Sequence, residues 1–306
     1  MVVGRFAPSP SGRMHLGNVF SALLAWLSAR SQDGELILRI EDLDTQRCRP
    51  EYAEQMRQDL LALGLSWDRE VQMQSQRSGV YARYVGLLRE KGLVYPCWCT
   101  RGDLRAASAP HASDGKPIYP GTCRHLSEAE RAAHDRPGAL RVIVPDETIT
   151  FHDRLQGECA ENLARECGDF IIRRSDGVFA YQLAVVVDDG LSGVTEVVRG
   201  HDLIGSTPRQ LWLYELFGFE PPRFIHIPLL CDHDGRRLSK RDEDLDLGLL
   251  RERFRPEQVI GALACAAGLT ETAEPVSARE LVRDFSWEKL PKGELYLPDV
   301  FRGIKK

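Results

Sequence analysis

Following a short apolar run, the chain reads Arg5-Phe6-Ala7-Pro8-Ser9-Pro10-Ser11-Gly12-Arg13-Met14-His15-Leu16-Gly17-Asn18. Two prolines stiffen such a loop, and Gly12 permits an unusual turn. Gly17 puts no side chain between a ligand and the opening of the helix predicted to follow. The N–H groups there, with the positive end of the helix dipole, suit a nucleotide phosphate, and His15 is placed to donate a hydrogen bond to it. Far along the chain comes Gly235-Arg236-Arg237-Leu238-Ser239-Lys240-Arg241. A glycine-led loop of cations can close over a triphosphate and stabilise the charge on departing pyrophosphate. Taken alone, a basic run is more often a solvated surface, and four residues around a histidine are a cheap match.

Other residues suit carboxylates and metals. Arginine grips both oxygens of a carboxylate, and Arg5 in the first loop and Arg199 just after a predicted strand are candidates. Glu41 can accept from an ammonium group, and Tyr181 can donate from its phenol. Equally, such arginines form weak surface ion pairs, Glu41 can pair with Arg39, and Tyr181 can be core. Of the eight cysteines, only Cys97, Cys99 and Cys123 are grouped, with His111, Tyr119 and His125 nearby. Zinc takes four ligands in a tetrahedron, so three thiols leave the fourth open, and His125 is the more usual one chemically. Three buried reduced thiols are the competing reading.

The elements that must position these groups alternate. Val2–Phe6 and Glu35–Ile40 read as strands, and Gly17–Arg30, Glu51–Leu63 and Gly79–Glu90 as helices. This is a βαβ pattern implying a parallel sheet. From about Tyr95 to Asp169 the pattern loosens, as in an insertion. Phe170–Arg173, Leu183–Val187, Val194–Val198 and Phe224–Ile227 then read as strands. Pro208–Leu216, Pro256–Ala266 and Ala278–Asp284 read as helices.

The 306 residues are 43% hydrophobic and 28% charged, ordinary for a globular protein of two or three packed units. Forty basic against forty-five acidic side chains give a net charge of -5, which argues against a generic nucleic-acid coating protein. RNA binding through a local basic patch stays open. No stretch is long enough to span a bilayer and no signal peptide is evident, so a cytoplasmic enzyme is expected. Alternating glycines of a dinucleotide fingerprint are absent, which disfavours a nicotinamide enzyme.

Taken whole, the segment from Pro8 to Asn18 resembles the HIGH signature of glutamate- and glutamine-type class I aminoacyl-tRNA synthetases, with Asn18 replacing the final histidine. Arg237-Leu238-Ser239-Lys240-Arg241 resembles their KMSKS loop, with Arg237 replacing the first lysine. The resemblance covers most of residues 1–241. It implies an α/β fold: a Rossmann-like doubly wound parallel sheet with a zinc-containing insertion and a short helical tail. The corresponding divisions are 1–90 and 170–241 for the two catalytic halves, 91–169 for the insertion and 242–306 for a stem-contact-like tail, with no anticodon-binding domain. Glutamate would lie against Arg5, Phe6, Ala7, Pro8, Ser9, Glu41, Tyr181 and Arg199. ATP would meet His15, Gly17, Asn18 and Lys240, with His15 and Lys240 catalytic and Mg²⁺ held largely by the triphosphate. Cys97, Cys99 and Tyr119-Pro120-Gly121-Thr122-Cys123 are similar to the zinc site of glutamyl-queuosine tRNA(Asp) synthetases, implying one structural Zn²⁺ on Cys97, Cys99, Tyr119 and Cys123. The expected activity is RNA-independent formation of glutamyl-adenylate by a monomer, then transfer to queuosine in tRNA(Asp). Charging of a tRNA 3′ end, or of a small molecule, is the alternative.

Overall fold

The computed structural model describes residues 1–100, 102–103, 118–231, 235 and 245–301. The loop Arg236–Arg241, with Arg237, Leu238, Ser239, Lys240 and Arg241, and also His111, lie outside the described residues.

Strands β1 (Val3–Phe6), β2 (Glu35–Arg39) and β3 (Arg69–Val71) pair in parallel. Between them run α1 (Leu16–Arg30) and α2 (Pro50–Ala62), and α3 (Ser78–Glu90) follows. β4 (Val94–Cys97) begins a second, antiparallel sheet with β5 (Ala139–Val142) and β8 (Phe170–Arg173). The short α4 (Glu128–Ala132) and α5 (Leu163–Glu166) flank it. An antiparallel hairpin of β6 (Thr148–Asp153) and β7 (Gly157–Asn162) turns back to the main body. There β6 pairs in parallel with β10 (Arg223–Ile227), which pairs in parallel with β9 (Glu196–Gly200). Thus β6 and β7, inside the stretch read from sequence as an insertion, extend the second half of the main sheet.

β9 lies beside β1, where Thr195 N–H donates to the Val3 carbonyl at 2.9 Å and Val3 N–H to the Thr195 hydroxyl at 2.9 Å. The strand series therefore runs β3-β2-β1-β9-β10-β6-β7, and the two halves meet between β1 and β9. In open α/β sheets ligands bind at such a switch point, outside the carboxyl ends of the strands.

One expectation fails. Leu183–Val187 is the middle of α6 (Tyr181–Ser192), not a strand. Residues 183–189 are all buried, so the run shows no polar face from which a helical period could be read. Gly193, at φ 70°, ends the helix in the left-handed conformation. The strand expected at Val194–Val198 is shifted to Glu196–Gly200.

Helices cover both faces of the sheet. On one, α3, α6 and α7 (Thr207–Phe217) pack Tyr81, Val85, Leu183, Val186 and Leu213 together. On the other, α1 is buried nearly all round, as its apolar sequence demands. Its cover comes from later in the chain: α8 (Leu247–Arg253), α9 (Pro256–Ala266) and α10 (Ala278–Leu281) place Leu250, Leu263 and Leu281, and the turn after them Trp287, in the same core as Leu23 and Leu24. β11 (Leu230–Cys231) pairs in parallel with β12 (Leu295–Tyr296), and Trp287 Nε1 donates to Ser28 Oγ at 3.3 Å. No helix among the described residues is long and apolar enough to cross a membrane.

Candidate active site

The sharp turn from β1 into α1 is held by a reciprocal cap. Gly17 N–H donates to His15 Nδ1 at 3.1 Å, and His15 N–H donates to Asn18 Oδ1 at 3.2 Å. Nδ1 is thus an acceptor, and the neutral imidazole carries its proton on Nε2. This refines the sequence reading in two respects. The Gly17 N–H is not open to a ligand, because the histidine already takes it. A Cβ at Gly17 would lie 2.9 Å from the His15 ring, so the glycine makes room for the histidine. Leu247 N–H donates to the Met14 carbonyl at 2.8 Å, tying this turn to α8.

A cavity of about 390 Å³ opens at the switch point. Its wall includes Arg5, Phe6, Ala7, Pro8 and Ser9 from the end of β1, His15, Gly17 and Asn18 from the cap, and Glu41, Tyr181 and Arg199. Every candidate for ATP or glutamate within the described residues therefore borders one space.

Arg5 is buried, with its Nη1 donating to the Val198 carbonyl at 3.1 Å across the β1–β9 seam. Its Nε has no hydrogen-bond partner, and Asp189 stands 3.7 Å from it. Arg199 is also buried, and three of its five N–H donors go to uncharged side-chain acceptors. Nε donates to His226 Nε2 at 3.0 Å, Nη1 to Gln210 Oε1 at 2.8 Å and Nη2 to Thr207 Oγ1 at 2.8 Å. Among the described residues no carboxylate lies within 4.0 Å of Arg199. Burial lowers its pKa, opposed by Tyr181 and reinforced by Arg5. Burial raises that of the Tyr181 phenol, which stays protonated as a donor. The arrangement holds a positive charge in place without neutralising it, which suits an anionic partner.

Glu41 is anchored rather than loose. Its Oε1 accepts from Arg39 Nε at 3.2 Å and Nη2 at 3.0 Å. Burial pushes its carboxyl up, against the pull of Arg39 and Arg5. Arg39, wholly inaccessible, also pairs with Asp189, and lies 3.9 Å from Asp188. Asp188 in turn accepts from Gln74, Arg77 and Tyr81 at 2.8–2.9 Å.

The cysteine group sits at the end of β4. The Sγ atoms of Cys97, Cys99 and Cys123 lie within 4.8 Å of one another, with Cys99 and Cys123 at 3.6 Å. That is close to the edge of a tetrahedron of thiolates about 2.3 Å from a zinc ion. Burial and the neighbouring thiols push Cys99 up to about 12, so a cation is what would release its proton. The Tyr119 phenol interacts with Cys97 and accepts from Cys123 N–H at 2.9 Å. His125, the chemically usual fourth ligand, is exposed and outside the cluster. Gly168, at φ 70°, admits the Tyr119 carbonyl, which would lie 2.2 Å from any Cβ there. The residues present fit a tetrahedral metal.

Residues 1–296 match the family described as tRNA synthetases class I (E and Q), catalytic domain. The chain belongs to this family. Within it, the glutamyl-Q tRNA(Asp) synthetase of Nitratidesulfovibrio vulgaris is 46% identical over 320 aligned residues, covering 100% of this chain and 99% of that protein. The glutamyl-Q tRNA(Asp) synthetase of Symbiobacterium thermophilum is 47% identical, covering 97% and 96%. A glutamate tRNA ligase from Elizabethkingia meningosepticum, solved in complex with its amino acid, superposes with a TM-score of 0.84 at 28% identity. It covers 98% of this chain and 68% of that one. The chain is thus a ligase on a class I synthetase fold. Three polar residues of this synthetase escaped the sequence reading, Asp153, Asp189 and His226, whereas Gln210 did not. Gln210 is signalled only by its place in Thr207-Pro208-Arg209-Gln210. The others are tied to the site by contacts between distant parts of the chain.

Proposed function

We propose that this synthetase activates L-glutamate with ATP, without RNA, and passes the glutamyl group to queuosine in the anticodon of tRNA(Asp). The names of its near full-length relatives support the acceptor. The observation that carries glutamate is the pair of buried guanidiniums, Arg5 and Arg199, bordering one cavity with Glu41 and the Tyr181 phenol. Arg5, Arg199 and Tyr181 take carboxylate oxygens, and Glu41 accepts from the α-ammonium.

In the first step an α-carboxylate oxygen attacks the α-phosphorus of ATP. A new P–O bond forms as the bond to the β-phosphate oxygen breaks, and that oxygen leaves with the electron pair as pyrophosphate. No protein nucleophile is required, so rate comes from alignment and charge stabilisation. His15, fixed by its cap, directs Nε2–H toward the phosphates. Lys240 is assigned to the departing pyrophosphate on its sequence alone. Mg²⁺ would ride on the triphosphate and neutralise its charge. A nucleophile of the RNA then displaces AMP.

Pyrophosphate exchange into ATP, run without RNA, tests the reading. Glutamate should support it, whereas glutamine and aspartate should not. Equal use of glutamine would overturn the carboxylate assignment. Labelled glutamate should then pass to tRNA(Asp) bearing queuosine but not to tRNA(Asp) lacking it. Transfer only to a 3′ end would instead favour the charging reaction.

Cys97, Cys99, Tyr119 and Cys123 would hold a structural zinc that pins the antiparallel sheet. The purified protein should carry about one zinc per chain, as a closed four-ligand site implies. Cys123→Ala should lose that metal and melt at lower temperature; elemental analysis finding equal zinc in both would refute the ligand set.

A further inference from the structure

Three adjacent strands carry a polar chain into the sheet behind Arg199. Arg199 on β9 and His226 on β10 are register partners, and β10 in turn pairs with the end of β6, where Asp153 lies. Arg199 Nε has only a proton to offer, so His226 Nε2 must accept. The neutral ring then carries its proton on Nδ1, which lies 2.7 Å from Asp153 Oδ2. Asp153 is held by the His226, Leu155 and Gln156 N–H groups at 2.9–3.3 Å. All three side chains are buried, Asp153 and His226 completely.

We infer that the Asp153–His226 pair is the positioning device for carboxylate selection: it fixes the Arg199 guanidinium by an uncharged acceptor and leaves its charge for the amino-acid substrate. A carboxylate in direct contact would hold Arg199 as firmly but would neutralise it and compete for its donors. An apolar neighbour would leave Nε–H buried and unpaired. The imidazole avoids both, and the ionised Asp153 behind it selects the acceptor tautomer. This role rests on Arg199 meeting a substrate carboxylate, as proposed above.

The test compares His226→Phe, His226→Gln, Asp153→Asn and Arg199→Met in RNA-free exchange, with KM for glutamate and for ATP measured separately. Phenylalanine keeps the ring's bulk without its nitrogens, and glutamine returns an acceptor. His226→Phe should raise the glutamate KM roughly 10–100-fold, the loss for a hydrogen bond to a charged group, with the ATP KM little changed. Preference for glutamate over glutamine should fall with it. His226→Gln should recover most of the loss, and Asp153→Asn should shift the glutamate KM in the same direction as His226→Phe. Unchanged glutamate KM in His226→Phe would overturn the inference. So would equal rises for glutamate and ATP that glutamine does not rescue, since that marks a merely structural residue. If His226→Phe fails to fold, Asp153→Asn decides: a selective rise supports the role, and no change rejects it. Arg199→Met separates the two levels. If it leaves glutamate use intact, the reading of the pocket fails; if it alone is impaired, only the positioning role fails.

Discussion

Replacing Arg199 by methionine is expected to cut glutamate-dependent pyrophosphate exchange roughly 10²–10³-fold, the usual loss when one partner of a buried, hydrogen-bonded charge pair is truncated. Methionine fills much of the same volume, so Gln210, Thr207 and His226 keep their surroundings but lose a common donor. Each of these acceptors is neutral, and the protein supplies no other carboxylate in contact with the guanidinium among its described residues. The loss should therefore fall on substrate binding more than on stability. The glutamate KM should rise sharply while the ATP KM moves little. Thermal melting within a few degrees of the unaltered protein, together with lost exchange, would bear this out; normal exchange would remove Arg199 from the substrate's path.

Arg39→Met is expected to act in the opposite manner, on the fold before the chemistry. Arg39 is wholly inaccessible and lies among Glu41, Asp188 and Asp189, which raise its pKa against the effect of burial. Without it three buried carboxylates face one another with fewer cations between them. Breaking a buried ion pair from one side costs about 3–5 kcal/mol. At about 2–4 °C per kcal/mol, the melting temperature should drop by many degrees in a calorimetric scan. Glu41 should also lose its anchor, since Arg39 donates both hydrogen bonds that hold its Oε1. A melting curve indistinguishable from the unaltered protein would mean that Arg5 and Arg77 suffice to hold the cluster.

The candidate site was unusually legible because its pieces lie at strand ends and helix starts, where residue type and local spacing carry information. Arg5, His15, Glu41 and Arg199 stand at such junctions, and all border the cavity. What stayed hidden depends on pairing between remote strands. His226 acquires its place only when β10 is set between β9 and β6, and the order of those strands is not encoded in either neighbour alone. The β6–β7 hairpin was missed for a related reason: its strands alternate exposed and half-buried residues and lack a strong apolar rhythm. In α6 the opposite problem arose, since burial on every side erased the period that separates helix from strand. The His15 cap was hidden too. A histidine accepting from the second residue of its own helix is a rare cap, and phosphate binding explained the same letters.

The burial of α1 by the tail has a consequence for synthesis. Ser28 and Trp287, hydrogen-bonded to each other, are 259 positions apart. As the chain leaves the ribosome, Leu23, Leu24 and their neighbours must wait until α8, α9, α10 and Trp287 have been translated before their final cover arrives. During that interval an oily rod is shielded only by its sheet, an invitation to chaperones and to self-association. Nascent chains halted before α9 should therefore be captured by holdases far more than finished ones.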